Sequence, residues 1–222
     1  MAVAFAAYIQ GSTATAATAT IDFSGRSVGD LAFALISHIA ADEPDAPNGW
    51  TLLQSQTENA ASWLYYKVLA SGDLGTLTWT FDGATKTMAT AVVYTGAHAT
   101  TPIVSSVEGT YASGGGTAVD CGSITTTTPM LVQFGSGYAT SATTYTTPEG
   151  YTERVDWGST TPDLWHVVSD TNGGWESGAS APAFTASQNC FYRQGYQVEV
   201  AAGEGPTPPA STAIMTTNRG IW

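Results

Sequence analysis

Five residues, Pro47-Asn48-Gly49-Trp50-Thr51, recur as Pro148-Glu149-Gly150-Tyr151-Thr152, 101 positions later. The surroundings of the two corners recur as well. An apolar strand precedes each: Asp30 to Ile36 in the first copy, Met130 to Phe134 in the second. An aromatic strand follows each, Ser62-Trp63-Leu64-Tyr65-Tyr66-Lys67-Val68 answered by Asp163-Leu164-Trp165-His166-Val167-Val168. Next comes a short strand, Leu77 to Phe81 answered by Pro182 to Thr185, and then a long one, Thr87 to Tyr94 answered by Tyr192 to Val200. One matching corner would constrain little. Five elements in one order require both halves to build the same unit.

A four-stranded sheet with one apolar face must cover that face, and a second copy of the same sheet can do so. The expected fold class is therefore all-β: an antiparallel β-sandwich, jelly-roll-like, built from two sequence-related halves with a core about 10 Å thick. The alternation of Trp63, Tyr65 and Lys67 with Leu64, Tyr66 and Val68 predicts strands with one face buried and one partly wet. The repeats span about 30–97 and 130–200 within a single domain, 1–202, and a strand from Ala17 to Phe23 is expected to close one edge. Residues 108–118 read as a flexible connection and 171–181 as a long Gly/Ser loop. Residues 203–222 leave the last strand through Gly205-Pro206-Thr207-Pro208-Pro209 and read as an extended arm. Its apolar end is costly to leave in water, so Ile214, Met215, Arg219, Ile221 and Trp222 are expected to contact a neighbouring subunit.

Charge narrows the function. Eighteen acidic residues against six basic ones give a net charge of −12. A nucleic-acid footprint needs clustered Lys and Arg, and six scattered cations do not form one, so neither nucleic acid nor an anionic membrane is an expected partner. No apolar run reaches the roughly 18 residues of a membrane span. The N-terminal stretch lacks a basic n-region, its first cation being Arg26, and reads as part of a non-exported mature protein. Cys121 and Cys190 could pair or stay free; buried free thiols are the simpler expectation.

Catalytic chemistry finds little purchase. The histidines are His38, His98 and His166, no Gly-x-Ser-x-Gly elbow occurs, and structural roles are expected for all three. Glu149, Glu153, Asp156 and Asp163 cluster around the second corner, where two opposed carboxylates would be needed for glycoside hydrolysis; solvated loop acids are the simpler reading. Asp42-Glu43-Pro44-Asp45 offers oxygen ligands for a hard cation without the spacing of a calcium loop, so no metal, cofactor or catalytic residue is expected. Tyr138, Tyr145, Trp157 and Trp175 are expected to be exposed, where they could stack on a sugar.

The run Gly29 to Ala34, Gly49 to Leu53, Leu64 to Val68, Leu77 to Phe81 and Ala91 to Gly96, continued by Gly150 to Asp156, resembles a β-sandwich family common among virion proteins of tailed bacteriophages. The resemblance covers about residues 15–202 and rests on fold anchors, with no active-site residue carried over. It implies a non-enzymatic virion component: a capsid decoration (cement) protein, head fibre or tail component. Such a protein would be a homo-oligomer partnered by the major capsid or tail protein. The alternative reading is a carbohydrate-binding module for host-surface glycans; a polysaccharide-degrading enzyme is a more distant one.

Overall fold

The computed structural model describes residues 1–141, 143–159, 163–175, 178–180 and 183–204. The first half contributes β1 (Ala4–Asp22), β2 (Leu31–His38), β3 (Thr51–Gln56), β4 (Ala61–Val68) and β5 (Thr76–Thr95), with one 3-10 turn at Ser71–Asp73. The second half contributes β6 (Ile103–Glu108), β7 (Gly116–Asp120), β8 (Ile124–Thr126), β9 (Leu131–Tyr138), β10 (Tyr145–Thr146), β11 (Thr152–Gly158), β12 (Leu164–Asp170), β13 (Gly178–Ser180) and β14 (Ala183–Val200). Among the described residues all the strand pairings are antiparallel.

The strand orders show the duplication. The first sheet runs β1-β5-β2-β4-β3, and the second contains β14-β9-β12-β11 with β6 and β7 both on β14. Several cross-strand partners correspond between the halves. Phe33 sits between Tyr66 and Val92, as Phe134 sits between Val168 and Tyr196. Ile36 faces Trp63 as Gly137 faces Trp165, and Ala19 faces Trp79 as Val119 faces Phe184. Both repeated corners make the same turn: the Trp50 N–H donates to the Pro47 carbonyl and the Tyr151 N–H to the Pro148 carbonyl, each at 3.2 Å. Gly49 and Gly150 supply the left-handed φ of +79° and +84° that this turn requires. Proline opens the turn, so Asn48 and Glu149 occupy its second position.

The layers are more numerous than the alternation pattern predicts. The central core lies between the sheets and joins Leu31, Phe33, Leu35, Leu64, Val92 and Tyr94 of the first to Val132, Phe134, Val168, Tyr196 and Val198 of the second. The outer face of each sheet is buried as well. Instead of two separate strands, β5 is continuous over 20 residues, and its first part lies with the end of β1 across its own sheet. Trp79, Phe81, Ala19, Ile21 and Phe23 thereby pack on Ala32, Ala34, Ile36, Trp63 and Tyr65. In the second half β7 and the start of β14 do the same, placing Val119, Phe184 and Cys190 on Trp165 and Val167. Every residue of β2 and of β12 is consequently buried. A strand covered on both faces reads as a near-continuous apolar run, which is what Leu31 to Ile36 is.

Three further expectations change. The edge strand runs from Ala4, far upstream of Ala17. Residues 108–118 are no free tether: β7 starts at Gly116 and Ala112 bridges to Arg193. Within 171–181, residues 178–180 form a strand paired with β8. The arm residues Ile214, Met215, Arg219, Ile221 and Trp222 lie outside the described residues.

Candidate functional site

At the end of the sandwich reached by the C-terminus of β2, polar side chains replace the apolar central core. His166 on β12 crosses to the other sheet, with Nε2 2.8 Å from Ser37 Oγ and Nδ1 2.8 Å from Thr90 Oγ1. A serine on a histidine resembles the start of a catalytic relay. Here the third member is a threonine, the group is entirely buried, and burial pushes the His166 pKa down to about 3. An imidazole that stays neutral across the physiological range and holds two hydroxyls from the opposite sheet is a fastener. Nearby the Tyr196 hydroxyl lies 2.8 Å from Ser62 Oγ, a second tie across the same interface. Toward the opposite end, the buried Asp170 accepts from Tyr94 Oη at 2.9 Å and from Arg154 Nε and Nη2 at 2.8 and 2.9 Å. The Arg154 guanidinium lies over the Phe5 ring at 4.3 Å.

Beyond the His166 layer, one step along the alternation, Met88, Leu164 and Ala60 form a small apolar plug. On this plug stands an open cavity of about 360 Å³, lined by Ile39, Asn59, Ala60, Thr85, Lys86, Tyr138 and Tyr192. The rings of Tyr138 and Tyr192 stand 6.2 Å apart at 53° to each other and make two walls. Lys86 Nζ lies 5.6 Å from the centre of the Tyr138 ring and 2.5 Å from Asp163 Oδ2. The hydrogen bond to Asp163 raises the Lys86 pKa, so the ammonium stays protonated at neutral pH. Four described non-glycine residues have a left-handed φ: Ala60 (54°), Asp163 (69°), Asn172 (50°) and Tyr192 (54°). The first and last line this cavity, and Asp163 holds its lysine. Such conformations cost on the order of 1–3 kcal/mol each and persist where the surrounding structure enforces them.

Of the aromatics proposed for sugar stacking, Tyr138 lines the cavity and Trp157 packs half-buried beside the plug. Tyr145 is buried against Trp165, its ring 4.3 Å away, and is a core residue; the expectation that it is exposed is corrected. Trp175 packs on Tyr151 elsewhere. The carboxylates disperse. Asp163 turns to Lys86, Asp156 accepts from the Tyr145 N–H at 3.1 Å, and burial raises the pKa of both Asp156 and Glu153 on β11. His38 is buried and stacked on Phe81 at 4.0 Å, while His98 Nδ1 accepts from the Thr101 N–H at 3.1 Å. Asp42, Glu43 and Asp45 are exposed, and among the described residues no three Asp, Glu, His or Cys side chains gather as a metal site. Cys121 and Cys190 are free and buried, burial raising the Cys121 pKa far above that of an ordinary thiol. Tyr192, Lys86 and Ala60 carry the cavity but gave no signal in the sequence.

No known protein family, curated protein or solved structure matches the chain.

Proposed function

We propose that this protein is a non-enzymatic structural component of a tailed-phage virion, a rigid block that decorates or stabilises the capsid or forms part of the tail. The observation that supports the reading best is the use made of reactive side chains inside the block. His166, Ser37, Asp170, Tyr94 and Tyr196 are all committed to fastening one sheet to the other. Two copies of one sheet, each covered on its outer face and bolted to the other through a polar and an apolar layer, make a stiff unit suited to bearing load. The sequence resemblance points in the same direction, and the net charge of −12 suits a surface that avoids non-specific association.

In this reading the arm, residues 203–222, contacts a neighbouring subunit or the major capsid or tail protein through Ile214, Met215, Arg219, Ile221 and Trp222. Mass spectrometry of purified particles tests the proposal. The protein is expected in a fixed ratio to the major capsid protein, and a chain ending at residue 204 is expected to fold normally yet be lost from particles. Absence from particles, or full incorporation of the truncated chain, would overturn the respective part.

A further inference from the structure

The cavity on the Met88–Leu164 plug has features that load bearing does not require. Its position is where the two halves depart from their own repeat. By the register of β2 against β9, Tyr138 occupies the site of Ser37; by the register of β4 against β12, Asp163 occupies the site of Ala61. Tyr192 lies in a bulge of β14, between Phe191 and Gln194, that the register of β2 with β5 lacks. A bulge re-aims a side chain, and this one sets the Tyr192 ring against Tyr138. Three separate changes on three elements thus converge on one cavity, each at a cost in backbone strain or in a departure from the parent packing.

The lining specifies the chemistry of the occupant. Lys86 is already neutralised by Asp163, so the cavity offers no free charge to an anion or a cation. An ammonium beside a carboxylate instead presents donors and acceptors a few ångströms apart, which matches a pair of adjacent hydroxyls, since each hydroxyl both donates and accepts. The Asn59 amide and Thr85 hydroxyl belong to residues of the same lining. Two tyrosine rings supply flat apolar walls for a face of C–H bonds. A volume of about 360 Å³ holds one pyranose ring with room for its linkage to a second. We propose that this cavity binds a single uncharged hexose unit of a glycan, one C–H face of the ring against Tyr192 and Tyr138 and a vicinal diol on Lys86 and Asp163. The site is a binding function additional to the structural one and does not depend on it.

The test is saturation-transfer NMR on the full chain with methyl glycosides of glucose, galactose, mannose and N-acetylglucosamine, followed by titration of the best. Transfer to the ring C–H protons of at least one glycoside is expected. Tyr138→Ala should weaken that ligand at least tenfold, whereas Tyr138→Phe, which keeps the ring, should stay within about threefold of the parent. Because Tyr138→Ala also removes packing, Lys86→Met, on a side chain about a third exposed, serves as the second variant and should likewise cost tenfold with an unchanged circular dichroism spectrum. Absence of transfer from all four glycosides would overturn the proposal. So would binding that neither Tyr138→Ala nor Lys86→Met reduces.

Discussion

His166 allows a pH experiment whose sign and size follow from the structure. Its pKa falls from 6.5 in the open chain to about 3 in the fold, because burial excludes the charged form. The unfolded chain therefore binds a proton that the folded chain refuses, and stability falls as the pH drops below about 6.5. The loss continues until the folded pKa is reached. Each unit of pH within that window costs about 1.4 kcal/mol, so lowering the pH to about 4.5 costs roughly 2.7 kcal/mol through this one group. Other groups titrate in the same range. Asp120 and Glu199, held below the usual carboxylate range by hydrogen bonds, lose their contribution on acidification, and burial lowers the pKa of His38. A double difference cancels them. Urea unfolding of the parent and of His166→Gln, each at about pH 7.5 and pH 4.5, should show the parent losing roughly 2–3 kcal/mol more than the variant. Equal losses within about 0.5 kcal/mol would mean that His166 is not held neutral between the sheets, and the fastening argument would fall with it.

The outer layers and the buried ion pair give further predictions. Trp63→Ala and Trp165→Ala, at equivalent sites in the outer cores of the two halves, should each cost about 3–5 kcal/mol in chemical denaturation; losses below about 1 kcal/mol at both would remove the outer cores. Asp170→Ala strands the Arg154 guanidinium and the buried Tyr94 hydroxyl and should cost about 3–5 kcal/mol, against about 1 kcal/mol for Tyr94→Phe, which leaves the Asp170–Arg154 pair intact. The reverse ranking in thermal unfolding would show that Asp170 is not the hub.

The duplication was legible because side-chain identity at corners and strand faces is set by local rules that both copies obey. Proline before a left-handed glycine, followed by an aromatic anchor, marked the turn in each half. The extra layers were not legible from alternation, for a physical reason. When a strand is covered on both faces, its two rows are both apolar, and Trp63 with Tyr65 on one side looks no different from a half-wet row carrying amphipathic aromatics. The continuity of β5 was not legible, because Leu77 to Phe81 and Thr87 to Tyr94 read as two separate strands. Here the pairing of β5 with β1 shifts between Thr80 and Thr85, and one long strand folds back over its own sheet. The second bend has its own signal, readable only in three dimensions. A Cβ on Gly109 would overlap the Asp120 carbonyl, just as one on Gly11 would come within 2.6 Å of the Thr20 carbonyl, so both copies place a glycine where the chain crosses itself.

The cavity was less legible, because its components do not share a motif. A left-handed φ at Ala60, Asp163 or Tyr192 is imposed by the closure of turns and a bulge, and nothing in the identity of alanine or tyrosine announces it. What the sequence did contain was the misfit between copies. Aligning Trp63 with Trp165 sets Leu64 against His166, and the register of β2 with β9 sets Leu35 against Ser136 and Ser37 against Tyr138. A repeat whose members serve only to cover each other has no reason to exchange leucine for histidine and serine in its central core. That exchange replaces apolar burial with groups that must find partners, which is costly unless every partner is supplied. All of these substitutions lie at the end of the sandwich where Tyr138, Tyr192 and Lys86 meet. Positions at which a sequence abandons its own folding logic are where function is to be sought first. In a duplicated chain the second copy provides the reference against which such departures can be read.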